Sequence, residues 1–389
     1  QPGTAQPGTD PARDAALANA VGAVVDPELR RPLGEVGMLR AAAAAGSAAQ
    51  VLIALPAPDW PATLALQDAV RAAAIAVDGI TDVAVELGVM DEHEQATLRA
   101  QLIGDPAATA GEQPAHGHAE GRAVPFAQPG NATRVLLVAS GKGGVGKSSV
   151  TVNLAVALAR TGRRVAVVDA DVWGFSIPRM LGVERPPVVI DQMVVPVEAN
   201  GVRCISMGFF AREDQPVIWR GPMLHKALEQ FLTDVYWDDP DVLLVDLPPG
   251  TGDISLSLAQ FLPRSEQLVV TTPQPAAQKV AQRAAFMAGR VNLQVRAVVE
   301  NMSWFCGDDG VRYDIFGSGG GAALAAELEV PLLGQVPLVP ALREGGDVGR
   351  PIVVDDPGSE AAEVFFEMAR LLTEEYLPTR RYSEGLQLL

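Results

Sequence analysis

Cysteine is almost missing from this chain: Cys204 and Cys306 are the two in 389 residues, too few for a disulfide framework. Positive charge is also in deficit, with 30 Lys and Arg against 47 Asp and Glu and a formal net charge of -17. A nucleic-acid binder normally shows a basic face, and an anionic membrane surface repels an acidic chain, so neither partner is expected. No apolar run approaches the length of a membrane span, and the start, Gln1-Pro2-Gly3-Thr4, lacks a charged-then-apolar leader pattern. A soluble cytoplasmic protein is the expectation. Histidine is scarce, and the pair His116 and His118 has no further ligand nearby, so it is not read as a metal site.

What is present is concentrated in one stretch, Ser140-Gly141-Lys142-Gly143-Gly144-Val145-Gly146-Lys147-Ser148-Ser149. The apolar run Arg134–Val138 before it reads as a buried strand. Val150, Leu154, Ala157 and Leu158 after it fall on one helical stripe, with Gly162 placed to end the helix. Strand, glycine-rich loop and helix in that order are the context of a phosphate-binding loop. The glycines let the backbone curl so that its N–H groups face a phosphate at a helix N-terminus, where the dipole also favours anions. In such a loop Lys147 reaches the β- and γ-phosphates and the Ser148 hydroxyl ligates Mg²⁺.

The length allows two domains. Residues 1–13 read as a disordered N-terminus and 14–103 as a small α/β domain. That domain has a helix over 15–24, a turn-like break at Asp26-Pro27-Glu28-Leu29, a strand over 50–55, a helix over 62–76 and a strand over 83–87. Asp26 and Glu28 read as turn-forming, solvated residues, with a functional role left open. Residues 104–132, rich in Ala, Gly, Pro and Gln, read as a flexible linker, 133–377 as the nucleotide domain and 378–389 as a tail. In the nucleotide domain the runs 165–168, 242–245, 268–270 and 295–299 are continuously apolar rather than alternating. That marks strands covered on both faces, hence an α/β fold with a mostly parallel sheet covered by helices on both faces. Ligands in such sheets gather at the C-terminal ends of the strands, where Asp169, Asp171 and Asp246 fall. A carboxylate beyond a strand beside the phosphate loop can hold a Mg²⁺-bound water, and Asp246 is the choice for that role. Asp169 carries no assignment.

The second lysine, Lys142, gives the loop the K-G-G-x-G-K-S form called the deviant Walker A. This resembles the P-loop NTPase class of the partition ATPases, the nitrogenase iron protein and the Mrp-type iron–sulfur cluster carriers. The resemblance implies an ATP-dependent homodimer in which Lys142 reaches the nucleotide of the opposing subunit. Further stretches sharpen it, namely Val168–Gly174, Trp219–Met223, Asp246–Asp253, Val299–Ser303 and Phe316–Gly321. In this order they look like an Mrp-type (ApbC-like) iron–sulfur cluster carrier ATPase over residues 133–358, with the small front domain of such carriers more loosely matched over 14–103. By resemblance Asp171 orients or activates the attacking water, Pro248–Asp253 is the γ-phosphate switch, and Asn301 hydrogen-bonds the adenine edge. Lys142, Lys147 and Asp171 are thus the catalytic set, and Gly141–Ser149 with Asn301 the nucleotide-binding set. Arg343 lies in the family's C-terminal segment and receives no role. ATP, Mg²⁺ and an iron–sulfur cluster are the implied cofactors and cargo; apoproteins and assembly factors are the implied partners.

Two departures bear on the cargo. Family members usually follow E-N-M-S with a C-x-x-C pair that binds a cluster bridging two subunits, whereas this chain has Cys306-Gly307-Asp308-Asp309. Two chains then bring two thiolates, half of what common clusters take, with Asp309 or an external thiol as conceivable completion. The small domain of the family commonly holds a cysteine where this chain reads Pro56–Pro61, so it reads as a docking or scaffolding module. Cys306 is read equally as a cluster ligand or a bystander thiol, and Cys204 as a buried strand residue. The alternatives are an ATP-gated scaffold that holds no cluster and a partition-type positioning ATPase. The acidic C-terminal segment 365–377, with only Arg380 and Arg381 beyond it, counts against the last.

Overall fold

The computed structural model describes residues 11–104, 123–210 except 173, 221–250, 253–275 and 293–378, with scattered positions between 276 and 292. Residues 1–10, most of the expected linker with His116 and His118, Trp173, Trp219, Arg220, Thr251, Gly252, Arg380 and Arg381 lie outside the described residues. The chain forms two compact units. The first takes in Gln1–Arg122, Val188–Val195 and Asp234–Asp238, and the second Ala123–Pro187, Pro196–Thr233 and Asp239–Leu389.

The first unit runs α1 (Pro11–Gly22), β1 (Leu39–Ala45), β2 (Ala48–Leu55), α2 (Thr63–Ile75), β3 (Asp82–Val89) and α3 (Glu92–Ile103). Its sheet has the order β1-β2-β3, with β1 antiparallel and β3 parallel to β2. Two elements are additional to those expected. The alanine run of β1 has helical propensity, but Gly46, at φ 64°, turns the chain back so that Ala45 pairs with Ala48. α3 opens on a reciprocal cap: Asp91 accepts from the Glu94 N–H at 2.9 Å and Glu94 accepts from the Asp91 N–H at 2.8 Å.

The second unit starts with β4 (Arg134–Ser140), α4 (Lys147–Arg160), β5 (Val165–Asp169) and α5 (Ile177–Leu181). The chain then passes into the hairpin β6 (Val188–Ile190) and β7 (Met193–Val195), which belongs to the first unit. There Ile190, Met193, Val195 and Tyr236 are buried in one apolar core with Leu17, Leu29, Ile53 and Leu66. The Tyr236 hydroxyl donates to the Leu29 carbonyl at 3.0 Å. The second unit continues with β8 (Val197–Ala199), β9 (Val202–Ser206), α6 (Gly221–Thr233), β10 (Val242–Asp246), α7 (Asp253–Phe261), β11 (Glu266–Thr271) and β12 (Gln294–Asn301). It ends with the hairpin β13 (Phe305–Cys306) and β14 (Arg312–Tyr313), α8 (Gly320–Glu327), β15 (Leu332–Val336), α9 (Pro340–Asp347), α10 (Ile352–Asp355) and α11 (Glu360–Arg370).

Its sheet has the order β15-β12-β11-β4-β10-β5-β9-β8, parallel throughout except for β8 against β9. β5, β9, β10 and β11 are buried along their full length, as the apolar runs 165–168, 242–245 and 268–270 require, and the burial takes in Arg203 of β9 and Glu266 and Gln267 of β11 as well. One face packs on Leu154 and Leu158 of α4 with Phe365 and Met368 of α11. Val269 and Val298 form a separate cluster with Ala281, Ala285 and Leu324. This is the α/β sheet with helices on both faces that the sequence leads one to expect. Its parallel register brings the C-terminal ends of β4, β5, β10 and β12 to one edge, where the glycine-rich loop leaves β4.

Candidate functional site

The loop Gly141–Gly146 joins β4 to the first turn of α4. Gly146 holds φ 76°, and a Cβ there would meet the Asn301 amide, so conformation and space both demand glycine. Ser140, the residues 142–149, Asp171, Gly174, Ser176, Met180, Pro248 and Pro249 line a cavity of about 470 Å³. The strand–loop–helix reading of the sequence therefore corresponds to a concave site at the edge where such sheets bind ligands.

At its floor lies a buried polar cluster. Lys147 donates from Nζ to Asp246 Oδ2 at 2.6 Å, with side chains 6% and 0% exposed. Ser148 donates from Oγ to the same oxygen at 2.6 Å. The other oxygen, Oδ1, accepts from Thr151 Oγ1 at 2.7 Å. The structure thus brings together three residues singled out in the sequence, Lys147, Ser148 and Asp246, and adds Thr151. Thr151 lies one helical turn beyond Lys147 on the same face of α4, and that spacing is the signal by which it was open to discovery. The hydroxyl of Ser148 and the carboxylate of Asp246 are hard oxygen donors side by side, the chemistry Mg²⁺ selects.

Asp171 also lines the cavity, and its Oδ1 accepts from the Gly174 N–H at 3.0 Å. Asp169, unassigned from the sequence, is fully buried below it. Its Oδ2 accepts from the Ser176 N–H at 3.1 Å, the Ile177 N–H at 3.3 Å and Ser206 Oγ at 3.0 Å, and its Oδ1 from the Asp171 N–H at 3.2 Å. Asp169 thus ties down the segment that carries Asp171. Burial first, and the neighbouring Asp246 carboxylate second, push its carboxyl up to about 7.

Lys142 does not reach toward Asp171 or Asp246; its Nζ donates to Gln274 Oε1 at 3.1 Å, just past β11. Gly250 is held against β4 through its N–H to the Ser140 carbonyl at 2.9 Å. Asn301, at the end of β12, is 3% exposed. Its Nδ2 donates to the Val145 carbonyl at 2.9 Å and its Oδ1 accepts from the Met302 N–H at 3.0 Å. Both ends of the amide are engaged with backbone, so Asn301 braces the glycine-rich loop as placed, while its second Nδ2 proton and the second lone pair on Oδ1 lie beyond those two bonds.

The remaining candidates sit apart. Cys306 is exposed on the β13–β14 hairpin. Asp309, the conceivable co-ligand, accepts from Tyr313 Oη at 2.7 Å and the Val311 N–H at 3.0 Å, and these bonds hold its carboxyl below the usual range. Among the described residues no group of three or more His, Cys, Asp or Glu is placed to hold a metal ion. Cys204 is buried in β9, where burial and then Asp169 push its thiol well up, an inert environment. Arg343 is exposed and pairs with Asp347 at 2.8 Å and Glu344 at 3.0 Å. Asp26 corrects the expectation of a solvated turn residue. It does form the turn, accepting from the Glu28 and Leu29 N–H groups at 3.0 and 2.8 Å, but it is 0% exposed. Its second oxygen accepts from Trp60 Nε1 at 2.9 Å, and burial raises its carboxyl. Trp60 lies in the stretch where the resembled family carries its cysteine, and here it packs into the core.

Comparison with known proteins agrees with this geometry. The family model for NUBPL iron-transfer P-loop NTPases matches residues 131–373, and the model for iron-sulfur cluster assembly proteins matches 14–87. An iron-sulfur cluster carrier protein of Mycobacterium bovis is 45% identical over 375 residues, covering 95% of this chain and 94% of its own. One from Deinococcus radiodurans is 42% identical over 372 residues, covering 95% and 97%. Among solved structures, the nucleotide-binding protein of Archaeoglobus fulgidus in complex with ADP superposes with a TM-score of 0.52 at 34% identity, over 60% of this chain and 91% of that one. No helix among the described residues is long and apolar enough to cross a membrane.

Proposed function

This chain belongs to the NUBPL iron-transfer P-loop NTPase family, and on that premise we propose that it binds and hydrolyses ATP as a homodimer and carries iron–sulfur clusters to apoproteins. The observation that carries the nucleotide half is the cluster of Lys147, Ser148 and Asp246 beneath the 470 Å³ cavity. Phosphoryl transfer asks a protein mainly for positioning and charge neutralisation, and this site supplies both. The N–H groups of Gly141–Gly146 cradle the phosphates, with Ser149 in the same first helical turn. Lys147 exchanges Asp246 for the β- and γ-phosphates as nucleotide enters. Ser148 and Asp246 hold Mg²⁺, which when bound offsets phosphate charge. Asp171 turns a water toward the γ-phosphate, and Lys142 leaves Gln274 to reach the nucleotide of the second subunit.

The cargo half rests on the names borne by relatives and on Cys306. An exposed thiol on a short hairpin is accessible to an iron–sulfur cluster, and a homodimer brings two such thiols, with external ligands completing the coordination. Anaerobic reconstitution with iron and sulfide tests it: a visible absorption band is expected in the wild-type chain and should be lost in Cys306→Ala. A wild-type chain that hydrolyses ATP yet develops no band would instead be a scaffold that regulates assembly.

A further inference from the structure

We propose that Thr151 is a positioning residue that orients the Asp246 carboxylate for Mg²⁺, a proposal that rests on the reading of Asp246 given above. Thr151 is fully buried, and its Oγ1 lies 2.7 Å from Asp246 Oδ1 and 3.0 Å from the Lys147 carbonyl. A hydroxyl has one proton to give. The carboxylate bond is charge-assisted and shorter, whereas the Lys147 carbonyl lies within the helix, where backbone N–H groups serve as its donors. The proton therefore goes to Asp246.

The consequence is a division of labour between the two carboxylate oxygens. Oδ2 faces Lys147 and Ser148, each at 2.6 Å, on the side of the cavity. Oδ1 faces Thr151, and no other described hydrogen bond reaches it. The terminal torsion of an aspartate is broad and soft, so an unpinned carboxylate can swing. Thr151 removes that freedom and keeps Oδ2 beside the Ser148 hydroxyl when Lys147 departs for a phosphate. The alternative is a threonine that only bonds back to its own helix, a local role that leaves metal affinity untouched.

Valine keeps the shape of threonine and removes the hydroxyl, so Thr151→Val separates the two roles. ATP binding is measured by calorimetry in EDTA and across a Mg²⁺ series, with bound Mn²⁺ counted by electron paramagnetic resonance. The expected result is a rise of about tenfold in half-saturating Mg²⁺ and a matching loss of Mn²⁺ occupancy. ATP affinity in EDTA should stay within about twofold, and Thr151→Ser should restore wild-type metal dependence. Wild-type metal dependence in Thr151→Val, or equal weakening of binding with and without metal, overturns the proposal. Should the valine variant unfold, Thr151→Ala is read by the same criteria. A wild-type chain whose nucleotide binding ignores Mg²⁺ refutes the reading of Asp246 itself, an outcome visible before any variant is made.

Discussion

Replacing Lys147 with alanine has two separable consequences, one for nucleotide binding and one for the empty protein. The ammonium lies 2.6 Å from a carboxylate that is 0% exposed, and Asp169, the last residue of the neighbouring strand β5, stands in register with Asp246. Truncating the lysine leaves Asp246 without its counter-ion in a buried place, which typically costs about 3–5 kcal/mol. Ser148 and Thr151 still donate to Asp246, so the lower end, about 3 kcal/mol, is the expected loss. For a domain of this size that corresponds to a fall in Tm of roughly 6–12 °C. The assay is thermal and denaturant unfolding in EDTA without nucleotide, for wild type, Lys147→Ala, Asp246→Asn and the double variant. Neutralising Asp246 removes the orphaned charge, so the double variant should be more stable than Lys147→Ala alone. Unchanged unfolding of Lys147→Ala, or a double variant no more stable than it, would refute the buried-pair reasoning.

Asp171→Ala should keep ATP affinity within about threefold while phosphate release falls by about a hundredfold or more, as expected for loss of a water-orienting group; equal loss of both would make Asp171 a binding residue. The Asp169 carboxyl rises from an ordinary 3.8 to about 7 in the folded chain, so the native state holds a proton that the unfolded chain has lost in this window. Its contribution to stability is fully present below about pH 4 and is lost as pH rises through about 7, on the order of a few kcal/mol. Metal-free Asp169→Asn should show a flatter dependence of unfolding free energy on pH across that window, and an unaltered slope would count against it. Asn301→Ala should loosen the phosphate loop, since the Val145 carbonyl loses its donor; faster amide exchange over 141–146 is the expected reading, and unchanged exchange would deny the brace.

The parts of the site legible in the sequence are those written contiguously. Gly141–Ser149 is a single run, Asp246 closes the apolar strand β10 and Asp171 lies two residues past the end of β5, so local pattern alone placed them. Gln274, which holds Lys142, lies 132 residues away, and nothing local to either residue announces the pair. Thr151 was readable in principle from its spacing to Lys147, but a threonine within an apolar helical stripe is indistinguishable from packing until Asp246 is placed beside it. In the fold, the D-x-x-E cap of α3 is a local signal, legible as Asp91 followed three residues later by Glu94. The alanine strand β1 was hidden by its helical propensity, which tertiary pairing with β2 overrides. The hairpin β6–β7 has strands of three residues, too short for periodicity to register, and its place in the core of the first unit is a non-local fact.

Equilibrium dialysis of labelled ATP against the purified chain, with and without Mg²⁺, most directly tests whether the cavity below Pro248 and Pro249 is a nucleotide site. Saturable uptake strengthened by Mg²⁺ and abolished in Lys147→Ala is the expected result. Absence of uptake in the wild-type chain, or undiminished uptake in Lys147→Ala, would contradict it.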